Sequence, residues 1–232
     1  MHIDLLSSIN AERRARRAVV QVTDLASGVS RIVREAEVSG DPLADEIGKA
    51  LRAGKSGLVR VGEAEIFLNV DVPPARILII GAVHISQALA PMARLAGLDV
   101  DIVDPRTAFA TPERFPGVAL AAEWPEDVLK RRPLDAYTAL VAVTHDPKID
   151  DIPLKAALDA DCFYIGALGS RKTHAKRLER LTAAGATADQ LPRIEAPIGL
   201  DIGAATPAEI AVAVLGSIIR ALRRRSVAMD AS

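Results

Sequence analysis

From residue 76 onward the chain alternates between short, continuous apolar runs and segments with the apolar spacing of a helix. A continuous run of three to six mainly apolar residues between turn residues is typical of a strand buried on both faces. The predicted strands are 77–80, 99–103, 138–143 and 163–165, and the predicted helices are 84–96, 126–131, 153–160 and 207–224. This alternation predicts a parallel sheet with right-handed crossover connections, which is a Rossmann-like α/β domain.

The pattern before residue 76 consists of shorter strands that alternate with turns and two helices. The predicted helices are 4–17 and 41–53, and the predicted strands are 18–22, 29–33, 57–61 and 64–70. Pro73 and Pro74 then favour an extended connector, because consecutive prolines cannot donate ladder hydrogen bonds. We therefore expect a small α+β domain at 1–72, followed by the Rossmann-like parallel sheet domain at 75–232.

Composition excludes some classes of function. A net charge of -1 gives the whole chain no polyelectrolyte surface for nucleic acid or for a membrane, and 3% aromatic residues provide few platforms for base stacking. Arginine clusters at 13–17 and 220–225 leave open a non-catalytic interaction module, although a solvated helix face or a frayed terminus is the favoured explanation.

Cysteine content and hydropathy bear on the compartment. The single cysteine, Cys162, cannot form an internal disulfide and begins an apolar strand, so we expect a core residue in a protein of a reducing compartment. No apolar stretch approaches the roughly 20 residues of a membrane span, and the first residues lack the basic and apolar regions of an export signal. These observations predict a cytoplasmic location.

In parallel α/β sheets, ligands bind beyond the carboxyl ends of the strands. The first such end, Gly81–Ser86, nearly matches a dinucleotide-binding turn, and Asp104 follows Gly81 by 23 positions, where an acid that binds ribose is expected. Val83 and Ser86, however, replace two glycines of the usual turn, and the Val83 side chain would crowd a bound pyrophosphate. This turn therefore disfavours conventional NAD(P) binding.

The other strand ends carry further polar residues. Thr144, His145 and Asp146 bring a hydroxyl, an imidazole and a carboxylate together, which suits either proton handling or a solvated turn. The segment 166–172 combines glycines, a serine that can cap a helix, and two basic residues. Such a helix start can bind a phosphate, although an ordinary capped glycine loop would have the same residues.

Taken together and in order, these motifs resemble the XdhC/CoxI family, the accessory factors of xanthine dehydrogenase and related molybdenum hydroxylases. The resemblance covers about residues 76–225 and rests on Gly81–His84, Val103–Arg106, Thr144–Asp146, Tyr164–Lys172 and Pro197–Ala211. It implies a protein that binds molybdenum cofactor, protects it while the metal acquires its terminal sulfur, and transfers it to the apo-enzyme. The implied partners are that hydroxylase, a sulfur-donating desulfurase and a second copy of the chain.

The resemblance and the strand ends together define one predicted cofactor site. Its residues are Gly81, His84, Asp104, Arg106, Thr144, His145, Asp146, Gly166, Gly169, Ser170, Arg171, Lys172 and Asp201. No catalytic residue and no metal ligand are predicted. The alternative is an NAD(P)-dependent oxidoreductase with a degenerate dinucleotide-binding turn, in which Asp104 binds ribose and His84 or His145 transfers a proton.

Overall fold

The computed structural model describes residues 3–225; residues 1–2 and 226–232, which the domain predictions include, lie outside the described residues. The described chain forms two compact units, residues 3–73 with 223–225 and residues 74–222. No helix within residues 3–225 combines the length and apolar character that crossing a bilayer requires.

The first unit is a four-stranded antiparallel sheet with two α-helices. Its elements are α1 (Ile3–Arg14), β1 (Val19–Asp24), β2 (Ser30–Arg34), α2 (Ala44–Ala53), β3 (Gly57–Val61) and β4 (Ala64–Asp71), with strand order β2-β1-β4-β3. Ile47 and Leu51 of α2 are buried, as is Leu68 of β4. Gly54 ends α2 in the left-handed conformation, at φ 61°, as its position after the last apolar residue predicts. The predicted α+β class is confirmed.

The second unit is a six-stranded parallel sheet flanked by helices, which confirms the Rossmann-like prediction. Its elements are β5 (Arg76–Ile80), α3 (His84–Leu95), β6 (Asp99–Val103), β7 (Ala119–Ala121), α4 (Pro125–Arg131), β8 (Thr138–Ala142), α5 (Pro147–Asp159), β9 (Tyr164–Ala167), α6 (Arg171–Ala183), β10 (Ile194–Glu195) and α7 (Pro207–Arg223). The strand order is β10-β9-β8-β5-β6-β7. The order reverses between β5 and β8, where Rossmann sheets open a ligand crevice.

Alternate residues of the central strands face opposite layers of helices. Ile77 and Ile79 of β5 pack in one cluster with residues of α3 and α7. Leu78 and Ile80 pack in a second cluster with residues of α5 and α6. Because successive side chains of a strand point to opposite faces, a strand covered on both faces must be apolar throughout, as β5 is.

Several predicted boundaries are wrong. Helix α5 begins at Pro147 and not at Pro153, because Pro147 occupies the first helical position and the Asp146 side chain accepts a hydrogen bond from the Lys148 N–H. Strand β9 continues through Gly166 to Ala167, so Gly166 is a strand residue and not the start of a loop. The short strands β7 and β10 have too few residues to show a periodicity.

Candidate functional site

The carboxyl ends of β5, β6, β8 and β9 lie along one edge of the six-stranded sheet, here called the carboxyl edge. The turns that follow these strands contain most of the predicted site residues. Two predictions fall elsewhere. Gly166 lies inside β9, and Asp201 is exposed in the segment between β10 and α7.

The turn after β5 is tightly packed against the end of β8. Gly81 has φ 121°, and a Cβ placed there would lie 2.9 Å from Thr144 Cγ2 and 3.2 Å from Val143 Cγ2. Glycine is therefore required by the approach of the two strands, independently of any ligand. Ser86 is fully buried, and its Oγ donates to the Gly81 carbonyl oxygen at 2.5 Å. Ser86 thus ties helix α3 to the turn where a dinucleotide-binding turn has glycine.

Asp104, at the end of β6, has no exposed surface and is bound entirely by the protein. Its Oδ2 accepts from the Ala82 N–H at 2.8 Å and from Arg106 Nη2 at 2.7 Å. Its Oδ1 accepts from the Arg106 N–H and Nε, both at 2.9 Å. Burial by itself raises the pKa of Asp104, but the hydrogen bonds from Arg106 and Ala82 outweigh it and lower the pKa. This carboxylate has no lone pair left for a ribose hydroxyl.

Arg114, which the sequence analysis missed, covers the same turn. Its Nη1 donates to the Ala82 carbonyl oxygen at 3.0 Å and to the Phe109 carbonyl oxygen at 2.7 Å. The Phe109 ring lies 4.7 Å from the Arg106 guanidinium and 5.9 Å from that of Arg114. Because Ala82 has both backbone groups engaged, the loop after β6 occupies the turn that a dinucleotide would need.

The turn after β8 is organised by Asp150, which the sequence analysis also missed. Asp150 is 1% exposed, and its two carboxylate oxygens accept from Thr144 Oγ1 at 2.7 Å and from the His145 N–H at 3.1 Å. His145 has φ 65°, a left-handed conformation that side chains rarely adopt. The Asp150 carboxylate holds the His145 backbone in this conformation, and Thr144 Oγ1 accepts from the Asp146 N–H at 3.1 Å.

Desolvation shifts the pKa of two groups at this turn, the Asp150 carboxyl and the His145 imidazole. Burial raises the pKa of Asp150 to about 6, although its hydrogen bonds and the charge of Arg177 act in the opposite direction. Burial lowers the pKa of His145, and Arg177 lowers it further. The two shifts have the same cause, because burial disfavours the charged form of the carboxyl group and of the imidazole alike.

The turn after β9 begins helix α6. The Ser170 Oγ caps this helix by accepting from the Thr173 N–H at 3.2 Å, as predicted. Gly169 has φ 143°, and Arg171 and Lys172 are exposed in the first helical turn. Both cations are therefore free to approach an anion at the carboxyl edge.

The family model named XdhC Rossmann domain matches residues 77–218. The chain belongs to the XdhC family. The match begins in β5 and ends in α7, so it spans the six-stranded sheet and every strand end of the carboxyl edge. The resemblance found in the sequence is confirmed.

Among relatives of this XdhC chain, a protein from Bacillus subtilis (strain 168) described as a probable subunit of xanthine dehydrogenase is 31% identical over 163 residues, which are 70% of this chain and 47% of that protein. A molybdenum cofactor insertion chaperone, PaoD, from Escherichia coli (strain K12) is 32% identical over 146 residues, 63% of this chain and 40% of its own. The Escherichia coli protein YqeB is 30% identical over 164 residues, 68% of this chain and 29% of its own. This chain spans less than half the length of each.

A crystal structure described as a xanthine dehydrogenase from Bacillus halodurans has the same fold. It superposes with a TM-score of 0.62 at 22% identity, over 95% of this chain and 64% of that one. At this identity the likeness concerns the fold alone.

The final XdhC motif, Pro197–Ala211, is held by a residue that the sequence analysis did not select. Glu195 accepts from Tyr164 Oη at 2.8 Å, from the Gly199 N–H at 2.7 Å, from Ser217 Oγ at 2.6 Å and from Arg220 Nη2 at 2.9 Å. Glu195 therefore ties the segment after β10 to β9 and α7. This network accounts for the packing of the motif, and Asp201 remains exposed to solvent.

Gly166 is explained by the same packing. A Cβ at Gly166 would lie 2.6 Å from Tyr164 Oη and 2.7 Å from Ile198 Cγ1. Such distances exclude any side chain at this position without displacement of its neighbours. The geometry thus gives Gly166 a packing role inside the XdhC domain.

Proposed function

We propose that this chain binds molybdenum cofactor and assists its sulfuration and its insertion into a molybdenum hydroxylase of the xanthine dehydrogenase type. Two relatives carry names that point to this role, one as a molybdenum cofactor insertion chaperone and one as a probable part of a xanthine dehydrogenase. The role is binding and transfer, with the apo-hydroxylase as the receiving partner.

One structural observation carries the proposal: the carboxyl edge offers cations for an anionic ligand, while its nucleotide-binding features are occupied by the protein. Asp104 is saturated, and the Ala82 N–H and carbonyl are both engaged. Arg171 and Lys172 remain exposed at the start of a capped helix. Molybdenum cofactor is a pterin that bears a phosphate group, which this helix start suits.

The same geometry gives no support to an NAD(P)-dependent oxidoreductase. A conventional dinucleotide needs a free acid at the end of the second strand of the domain and close backbone approach at the first turn. Asp104 is buried and its carboxylate already accepts four hydrogen bonds, so no free acid is available. Val83 lies at the start of α3 and packs against the apolar core. We expect neither the wild type nor a Val83→Gly variant to bind NADH in a fluorescence titration, and saturable NADH binding would contradict this reasoning.

Cys162 bears on the source of the sulfur. It is 1% exposed, and burial raises the pKa of its thiol to about 12. A buried thiol without thiolate character is a poor sulfur carrier. This supports the proposal that a separate sulfur-donating desulfurase, and not this cysteine, supplies the terminal sulfur of the cofactor.

Copurification tests the proposal directly. The protein is purified from a molybdenum-replete host, and oxidation of the sample converts bound cofactor to a fluorescent pterin. We expect pterin in the wild type and its loss in an Arg171→Gln, Lys172→Gln double variant, whereas the charge-matched double variant Arg131→Gln, Lys155→Gln keeps it. Incubation of the loaded protein with an apo-hydroxylase should restore hydroxylase activity. Absence of both copurified pterin and affinity for added cofactor would overturn the proposal.

A further inference from the structure

Arg177, in the second turn of α6, is a buried cation whose donors are only partly used. Its side chain is 2% exposed, and Nη2 donates to the Leu168 carbonyl oxygen at 2.8 Å. The Nε and Nη1 atoms are buried and have no hydrogen-bond partner among the described residues. Burial of unpaired donors of a charged group costs far more than burial of paired ones, so such donors call for a partner, either a water molecule or an ion.

A cavity of about 260 Å³ lies between α5 and α6 and includes Arg177 in its wall. Its charged lining residues are Asp150, Asp151, Lys172, Lys176, Arg177 and Arg180. Arg180 is neutralised by Asp151, with 3.0 Å between Nη2 and Oδ1. Three cations of the wall then remain, Lys172, Lys176 and Arg177, against the single acid Asp150. The cavity therefore has an excess of positive charge.

Asp150 does not supply the missing partner of Arg177. Both of its carboxylate oxygens are held by Thr144 and by the His145 N–H. The charge of Arg177 still acts on its surroundings, because it contributes to the lowered pKa of both His145 and His174. The guanidinium is therefore a source of positive potential that no ion pair within the described residues cancels.

We propose that this cavity is a binding site for a tetrahedral oxyanion, a phosphate group, with Arg177 as its buried cation and Lys172 and Lys176 as its exposed ones. Guanidinium and ammonium groups are the side chains that bind phosphate. The cavity volume is below the roughly 300 Å³ at which pockets for drug-sized ligands begin, so it suits a free ion or the phosphate end of a larger molecule. The site shares Lys172 with the proposed cofactor site, but it is argued from Arg177 and its cavity and does not rest on the proposed chaperone function.

Titration of the full chain with inorganic phosphate, followed by isothermal calorimetry in a phosphate-free buffer, tests the site. We expect saturable binding to the wild type and at least about tenfold weaker binding to Arg177→Met, which replaces the aliphatic stem of the side chain and removes the guanidinium donors. The exposed pair Lys172→Gln, Lys176→Gln should weaken binding without any effect on folding. Arg131→Gln removes an exposed cation outside the cavity and should leave the affinity unchanged.

Thermal unfolding separates lost binding from lost structure. Phosphate should raise the Tm of the wild type and of Arg131→Gln, because a ligand that binds only the folded state stabilises it. Arg177→Met loses the hydrogen bond to the Leu168 carbonyl oxygen together with the unpaired donors, so its own Tm without phosphate is the reference, and that Tm should not rise with phosphate. A folded Arg177→Met variant that binds phosphate as the wild type does would overturn the site, as would a wild type without saturable binding.

Phenyl phosphate distinguishes the two sources of the group. Affinity for this monoester equal to or above that for inorganic phosphate would identify the end of a larger ligand, whereas much weaker binding of the monoester would identify the free ion. Both results support the oxyanion site. Pterin copurification tests the chaperone function separately, so either proposal can fail while the other stands.

Discussion

Asp150→Asn is the sharpest test of the electrostatics at the carboxyl edge. Burial raises the pKa of this carboxyl from 3.8 to about 6, so the folded protein binds its proton more tightly than the unfolded chain does. Between about pH 4 and pH 6 the native state therefore holds more protons, and its stability falls as the pH rises. A pKa raised by about 2 corresponds to roughly 3 kcal/mol in the free energy of unfolding, and the folded protein has lost all of this stability above about pH 7.

Asparagine stays neutral at every pH and can keep both hydrogen bonds of the site. Its carbonyl oxygen can accept from the His145 N–H, and its amide can donate to Thr144 Oγ1. We therefore expect Asp150→Asn to be more stable than the wild type by up to about 3 kcal/mol at pH 8, with roughly half of that difference at pH 5 and little at pH 4.

Urea unfolding in phosphate-free buffers at several pH values measures this difference. The fluorescence of Trp124, the only tryptophan of the chain, reports on the second unit, where it precedes α4. Asp159→Asn is the matched control, because it makes the same change on the same helix at an exposed site and should alter stability by no more than about 0.5 kcal/mol. Parallel pH profiles for wild type and Asp150→Asn, or lower stability of the variant at pH 8, would refute the reasoning.

Two further variants test the packing around the XdhC motif. Gly166→Ala places a Cβ within 2.7 Å of Ile198 and should cost about 1 to 3 kcal/mol in urea unfolding, whereas Gly40→Ala, which has no atom within 4 Å of its Cβ, should cost nothing measurable. Glu195→Ala leaves four hydrogen-bond donors without their acceptor, one of them a backbone N–H, and should lower the free energy of unfolding by about 3 kcal/mol. Its control, Glu123→Ala, breaks an exposed ion pair and should lower it by about 0.5 kcal/mol. Equal losses in a variant and its control would contradict the packing argument.

The central strands of the second unit were predictable because they are mainly apolar, and short, continuous apolar runs are typical of strands that are covered on both faces. The run 77–80 lies in β5, and Asp99–Val103 matches β6 residue for residue. The start of α5 was misplaced because two prolines, Pro147 and Pro153, each suit a first helical turn. The Asp146 side chain, which caps the helix at Lys148, decides between them.

The order of apolar and polar residues along this chain was enough to determine a Rossmann-like domain and its family, since these depend on local periodicity and on motif spacing. Only the tertiary structure decided what each polar residue does. Asp104 proved to be saturated by Arg106, a pairing that its position two residues along the chain allows, and by the Ala82 N–H, a contact that carries no signal in the sequence. Asp150 and Arg177 lie inside helices, where charged residues are usually solvated, and only the packing of α5 beside α6 shows that both are buried. Desolvation depends on every neighbour in three dimensions, so the groups with the most perturbed chemistry are those that the sequence alone identified least well.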